Sequence, residues 1–499
     1  MIPRSTTTLV LALALATGAA ACALDGQPAL VKRGTARPLG VYTTELAADL
    51  EEQALSALAR DAIRREMRFL DAADPGALAR SIRVEEGEIE AGLFSPAEAF
   101  EIGAQIFHAT FTPEMGYGAK DLPHLARFHT GRRGGPDAMR CDSCHWRGGP
   151  AGAGDGADNA YLAGDGDAES KALARNPPSL VGAGLVELLG REMTAELDAQ
   201  RQALLAEARA AGKPVRRAIS AKGVPFGELL ARPDGVADAT DVAGIDADLV
   251  VKPFGRKGHF ASIRDVVEDE LLVHHGMQST HLVARARPER IGPFGGTDPD
   301  GDGVIDEITE GQVTALSLFV AMQEVPVAHP PTEQDHMVLF GEGAARFESL
   351  GCASCHTPSL PLADSRYALA SRRGGPAVSV DLATDAAAPR ITPPAEGGPL
   401  RLYLYSDLKR HDMGEVLAEG MADRGVRPEH FVTPPLWGLA RSRPYMHDGR
   451  APTIEDAILL HGGEAQPARD AYAALTDPER APLRIFLMSL TRARRLVVP

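Results

Sequence analysis

Apolar positions recur at helical spacing through much of this chain, and few stretches show the period of two that a half-buried strand requires. Leu50, Leu55, Leu58, Ile63, Met67 and Leu70 predict an N-terminal helix within residues 44–70. Residues 185–212, rich in Glu, Arg, Ala and Leu, predict a long helix whose charges form a solvated face. Two apolar runs, Leu316-x-Leu318-Phe319-Val320 and Leu483-x-Ile485-Phe486-Leu487, predict short buried helices. Residues 23–40 (Pro, Gly and basic residues) read as a tether. The Gly-, Ala- and Asp-rich stretch 148–168 and the Gly-, Pro- and Ala-rich stretch 371–399 read as long loops. The pattern as a whole predicts a mainly α fold.

The first apolar run, Leu9 to Ala16, is too short to cross a bilayer. Arg4 precedes it, and Gly18-Ala19-Ala20-Ala21 follows it directly before Cys22. This predicts a secretory signal of lipoprotein type at 1–21, with a lipid on Cys22 as the only membrane attachment. Cleavage after an Ala-x-Ala is the alternative, and Ala19 stands where a lipoprotein site usually has Leu. Either way the expected compartment is the periplasm.

Cys141-Asp142-Ser143-Cys144-His145 and Cys352-Ala353-Ser354-Cys355-His356 change the picture most. C-x-x-C-H is the attachment signature of a c-type haem: two thiols bond the porphyrin and the adjacent imidazole binds the iron. A thioredoxin-like pair has no need of the following His, and zinc knuckles would stand closer together. Of five cysteines, four lie in these motifs and the fifth is Cys22, so no pair remains for a structural disulfide. The expected cofactors are two covalently bound haems.

The chain also repeats itself around these motifs. Gly103-Ala104-x-x-Phe107 precedes the first and Gly343-Ala344-x-x-Phe347 the second. Asn176-Pro177-Pro178-Ser179-Leu180 and Thr433-Pro434-Pro435-Leu436-Trp437 follow them. Next, the segment from Lys257 to Val267 aligns without a gap to that from Asp448 to Ile458, and the two short apolar helices close each unit. The expected organisation is two tandem cytochrome c-like haem domains with long loops. Residues 22–95 would be a tether and N-terminal helix, 96–326 the first haem domain and 327–499 the second.

Later segments carry a family resemblance: Tyr405-Ser406-Asp407-Leu408-Lys409-Arg410-His411-Asp412-Met413-Gly414, Thr433 to Leu439, Tyr445-Met446-His447-Asp448-Gly449-Arg450 and His461-Gly462-Gly463-Glu464-Ala465. With them the chain resembles the bacterial di-haem cytochrome c peroxidase superfamily, including MauG-type enzymes, and most of all its di-haem oxidoreductase branch. The resemblance implies one haem with an accessible face for peroxide and a second, six-coordinate haem that relays electrons. It places His461 as distal ligand of the C-terminal haem, with Met413 and His411 as runners-up. Peroxidases commonly have Met there and MauG-type enzymes Tyr. Imidazole in that place should lower the potential.

The distal side of the N-terminal haem stays open at this stage. His108, His124, His129, His259, His274, His275 and His281 are the candidates, since 146–258 contains no His. His274 and His275 lie about one turn beyond the point equivalent to His461. Relatives use a glutamate of this domain as acid–base group, which makes Glu270 and Glu268 candidates. The expected catalytic set is His274, His275 and Glu270.

Asp298-Pro299-Asp300-Gly301-Asp302-Gly303-Val304-Ile305-Asp306 sets acids at positions one, three, five and nine of a calcium loop, with Gly at six. Thr309 stands where a bidentate Glu is usual, with Glu310 one residue later. Asp298, Asp300, Asp302 and Asp306 are the expected Ca²⁺ ligands, and relatives also carry calcium between their domains.

A net charge of −16 argues against nucleic acid and suits a basic electron-donor cytochrome as partner. The relatives' habit of dimerising suggests a homodimer. Two rival readings remain: a non-catalytic electron-transfer cytochrome with both irons closed, and a MauG-like oxidase of a protein side chain. The second is weakened by His461 in place of Tyr.

Overall fold

The computed structural model describes residues 82–119, 136–156, 160–162, 173–285, 298–325, 330–331, 333–375, 378–383 and 400–491. The leader, Cys22, the predicted helix at 44–70, His124 and His129 lie outside the described residues.

Helices α1 (Glu86–Glu90) and α2 (Pro96–His108) open the described chain. Ser95 starts α2: its Oγ accepts from the Glu98 amide at 3.2 Å, Glu98 returns the bond to the Ser95 amide, and Pro96 fills the first turn. After the first C-x-x-C-H come strands β1 (Ala160–Leu162) and β2 (Leu173–Arg175), and the long helix α3 (Ala183–Ala211) where the charged repeat predicted one. Strands β3 (Val215–Ala221), β4 (Val224–Ala231) and β5 (Ala237–Asp238) form one antiparallel sheet against it. Helices α4 (Ile263–His275), α5 (Thr280–Ala284) and α6 (Glu310–Ala321) follow. Helix α7 (Gln334–Ser349) leads into the second motif. Strands β6 (Leu360–Leu362), β7 (Arg366–Leu369), β8 (Val378–Asp381), β9 (Leu400–Leu402), β10 (Arg410–Asp412) and β11 (His430–Val432) pair as β6–β9, β7–β8 and β10–β11, all antiparallel. Helices α8 (Ile454–Leu460), α9 (Gln466–Ala473) and α10 (Asp477–Met488) finish the described chain.

The expectation of a mainly α protein is therefore wrong: the described residues hold eleven strands in five small sheets beside the helices. The physical reason is size. Most of these strands have three or four residues, too few to print a period of two. The exception is the β3–β4 hairpin, turned by Lys222 and Gly223, both at positive φ, where Val224, Phe226, Leu229 and Ala231 face the core.

Two helix crossings fix the frame for the motifs. Helix α2 meets α6 at Gly103, where a Cβ would stand 2.2 Å from the Ala315 carbonyl oxygen. Helix α7 meets α10 at Gly343, where a Cβ would stand 2.0 Å from the Pro482 carbonyl oxygen. One turn later on each helix an aromatic ring turns to the motif: Phe107 lies 6.3 Å from His145 and Phe347 6.4 Å from His356, centre to centre. The repeated Gly-Ala-x-x-Phe is thus a crossing point followed by a wall. Gly343→Ala should force the helices apart and cost about 1–3 kcal/mol, read as a lowered Tm with the haem spectrum retained.

Helices α4 and α8 also match. Ser262 Oγ accepts from the Asp265 amide at the start of α4, and Thr453 Oγ1 from the Asp456 amide at the start of α8. Each follows a short antiparallel bridge, Phe254 to Phe260 and Tyr445 to Ala451. The larger core joins α2, α3 and α6 with Leu360, Leu362, Tyr367 and Trp437 from the C-terminal half. Gly182, at φ +73, makes room for Trp437: a Cβ there would come within 2.6 Å of its ring. A second core gathers Phe347, Tyr445, Ile454, Leu483 and Phe486.

Candidate functional site

The second motif is built on a 3₁₀ turn, Cys352–Ser354, directly after α7. His356 donates from Nδ1 to the Tyr405 carbonyl at 3.0 Å, which leaves Nε2 free. Opposite stands His461 at the end of α8, its Nδ1 donating to the Ala457 carbonyl at 2.8 Å, again with Nε2 free. The ring centres are 6.4 Å apart. Two metal–imidazole bonds of about 2 Å each, plus the reach from each nitrogen to its ring centre, put coaxial rings roughly 6 Å apart. The pair therefore has the donor set and spacing to share one iron. Burial lowers the basicity of both rings, and that of His356 falls to about 4 with the help of His461. Neutral imidazole is the metal-binding form.

His411 is no ligand by this geometry. Its Nε2 meets Asp407 Oδ2 and its Nδ1 meets Glu464 Oε2, both at 2.8 Å, so both nitrogens are taken. Burial opposes its charge, but the carboxylates outweigh it and push His411 up to about 11. Met413 sits on the same segment, its amide donating to the Glu429 carbonyl.

The first motif, on the turn Cys141–Ser143, repeats the proximal arrangement. His145 Nδ1 lies 3.0 Å from the Pro178 carbonyl and 3.3 Å from that of Gly152, again freeing Nε2. The far side differs. Among the described residues no second imidazole is in ring contact with His145. His108 faces Asp142, His259 faces Asp423 at 3.1 Å, and His281 faces Glu310. His274 is clamped between Asp137 at 2.8 Å and Glu270 at 2.7 Å, so it has no nitrogen to give. Those carboxylates outweigh burial and hold it charged well above the ordinary imidazole range. His275 donates from Nδ1 to the Ala138 carbonyl at 2.7 Å and turns Nε2 to within 3.7 Å of Cys141 Sγ. Burial and charged His274 push it down to about 4.

Glu270 holds the telling place. It lies seven residues into α4 counted from Ile263, as His461 lies seven beyond Ile454 in the matching helix. Where the C-terminal site has an imidazole, the N-terminal site has a carboxylate. Its side chain is 48% exposed and lies close enough to the first motif to act electrostatically on Cys141 and His145. Burial would raise its pKa, but His274 outweighs that and keeps it ionised. Glu268 instead accepts from Ser279 and Arg372. Extending the repeat three residues beyond Val267 and Ile458 pairs Glu270 with His461. Asp137 carried no signal in sequence.

The acidic loop brings together Asp298, Asp300 and Asp302, with one carboxylate oxygen of each within 4.8 Å of the others. Asp306 is outside the cluster, a correction to the expected set: it is exposed, at φ +54, and its carbonyl accepts from Arg83. Glu307, the next residue, turns inward past Gly116, accepts from the Gln278 amide at 2.6 Å and feels the charge of the three aspartates without joining their cluster. Asp300 Oδ2 is buried with no hydrogen-bond partner. Burial and the neighbouring acids push Asp300 up to about 7 and Glu307 up to about 10. Three converging carboxylates, one with a buried oxygen that has no partner, fit a hard cation.

Two imidazoles with oriented rings, each beside a pair of thiols and under an aromatic wall, define a protein built to hold two haems. Residues 314–490 match the family described as "Di-haem oxidoreductase, putative peroxidase", so the C-terminal part of the chain is similar to that family. No curated protein matches the sequence. Among solved structures, hydrazine synthase from Kuenenia stuttgartiensis is similar at 14% identity, with a TM-score of 0.32, over 79% of this chain and 92% of that one. A MauG-like protein associated with microbial copper homeostasis is similar at 16% identity, with a TM-score of 0.26, over 52% of this chain and 77% of that one. At these scores neither likeness bears on the fold or activity of this chain.

Proposed function

We propose that this di-haem oxidoreductase is a peroxidase-like enzyme with two unlike iron sites. The observation that carries the reading is the asymmetry: His461 faces His356 at 6.4 Å, whereas Glu270 takes the matching place near His145. Cys141 and Cys144, and Cys352 and Cys355, would attach the two haems covalently. When bound, haem supplies the electron transfer and an iron on which a peroxide oxygen can settle. His145 would hold the N-terminal haem, and Glu270, near His145, would serve as the acid–base group, taking a proton from one peroxide oxygen and giving it to the other, with charged His274 holding the carboxylate in place. His356 and His461 close the C-terminal site, which makes it the relay. Export to the periplasm and a lipid on Cys22 belong to the same proposal. So do a small cytochrome as donor and a homodimer.

His275 favours a second reading, an electron-transfer cytochrome with both sites closed, because its free Nε2 lies at the first motif. Low-temperature EPR of the oxidised and half-reduced protein separates the two. A high-spin ferric signal in either state supports the enzyme. Two low-spin signals throughout leave the electron carrier.

Asp298, Asp300 and Asp302 would hold calcium and fix the segment before α6. At a calcium concentration a hundredfold above Kd, the bound ion adds about 2.7 kcal/mol. Chelation should therefore lower Tm by several degrees, and Asp300→Asn should abolish that response. The metal-free fold should also depend on pH. Glu307 is protonated in the fold and ionised in the unfolded chain from its usual 4.5 up to about 10, so its contribution is full below 4.5 and lost as pH rises toward 10. The gap in Tm between calcium-loaded and chelated protein should widen with pH, and Glu307→Gln should flatten it.

A further inference from the structure

His461 is the C-cap of α8, with extended backbone at φ −62 and ψ 130, and its amide donates to the Ile458 carbonyl at 3.2 Å. Its ring has one anchor, the Ala457 carbonyl. The residues after it are braced from outside. Gly462 and Gly463 lie flat against Asp412–Gly414: a Cβ on Gly463 would meet the Asp412 carbonyl oxygen at 2.2 Å and the Gly414 nitrogen at 2.7 Å. Glu464 then spans the contact. Its Oε1 accepts from the Asp412 amide at 3.0 Å and its Oε2 from His411 Nδ1 at 2.8 Å. His411 passes the link to Asp407, which is 2% exposed and anchored by the Lys409 amide. The same segment supplies the Tyr405 carbonyl that orients His356.

We propose that Glu464, acting through His411 and Asp407, is the positioning residue that holds His461 toward the C-terminal iron. This rests on His461 being the distal ligand. One short segment would then set both axial imidazoles, His356 through a backbone carbonyl and His461 through the clamp. Breaking the clamp leaves the His461 loop with only its backbone contacts, so the ring should sample positions off the iron axis.

The test uses the full-length holoprotein. The Glu464 side chain is 55% exposed, so its replacement should spare the fold. Glu464→Ala should shift or split the low-spin EPR signal of the C-terminal site and turn at least a tenth of it high-spin, with the N-terminal signal unchanged. Glu464→Gln, neutral like Ala but keeping one acceptor, should fall between Ala and the parent; the difference between the two variants reports the hydrogen bond apart from the charge. If the Ala variant takes up no haem, the Gln variant carries the test with a smaller shift in the same direction. Parent-like signals in both variants would overturn the clamp. His461→Gly separates this from the underlying reading: if the low-spin signal survives there, His461 is not the ligand and both fall.

Discussion

Glu270→Gln should reduce peroxide turnover by about 10²–10⁴-fold, the usual worth of one general acid–base group. The substitution keeps the shape and most of the hydrogen bonding to His274, and it removes only the ability to carry a proton. Haem content and both EPR signals should therefore match the parent, which separates lost chemistry from lost structure. The pH profile gives a second handle. His274 outweighs burial and holds the Glu270 pKa below its ordinary value, so the base form persists across neutral pH. The acid limb of the profile should lie below the usual carboxylate range, and His274→Gln should move it upward. Steady-state peroxide reduction with a reduced dye as donor measures both. Parent-like turnover in Glu270→Gln would transfer the proton step to His275, whose free Nε2 is the other basic atom near Cys141.

The site was more legible in the sequence than the fold. Two C-x-x-C-H motifs are a haem-attachment signature written as consecutive residues, and the gapless repeat brought α4 and α8 into register. The family resemblance pointed to His461, and the same helix of the first unit offered Glu270 beside His274 and His275. Spacing could not show that Asp137 and Glu270 consume both nitrogens of His274, because Asp137 arrives from 137 residues away. The acidic loop was legible as a cluster of carboxylates, of which Asp298, Asp300 and Asp302 converge and Asp306 does not. Backbone twist at Asp306, at φ +54, turns that side chain out and Glu307 in. Strands of three residues such as β6 and β10 carry too little pattern to be seen, and tertiary pairing forms them. The helix crossings at Gly103 and Gly343 were visible as a repeated motif, although their role as contact points needed coordinates.

His461→Met should leave the C-terminal site six-coordinate and raise its midpoint potential by on the order of 100–200 mV, within the roughly 0.8 V that axial ligands span. Thioether stabilises ferric iron less well than imidazole does. His356 keeps its own anchor on Tyr405, so the change is confined to one side of the iron. His461→Gly should go further. With no side chain opposite His356, the low-spin signal should give way to a high-spin one, and added imidazole should restore it. The functional result follows from the relay role. An open C-terminal iron can bind small ligands itself and holds electrons at a different potential, so turnover driven by an external donor should fall by about tenfold or more. Peroxide reactivity of the N-terminal site in a single-turnover experiment should survive, because Glu270 and His145 are untouched. Spectroelectrochemistry on the two variants, followed by stopped-flow reaction with peroxide, tests this division of labour. Unchanged potentials in His461→Met would mean that another group binds the iron and that the 6.4 Å imidazole pair has no part in ligation.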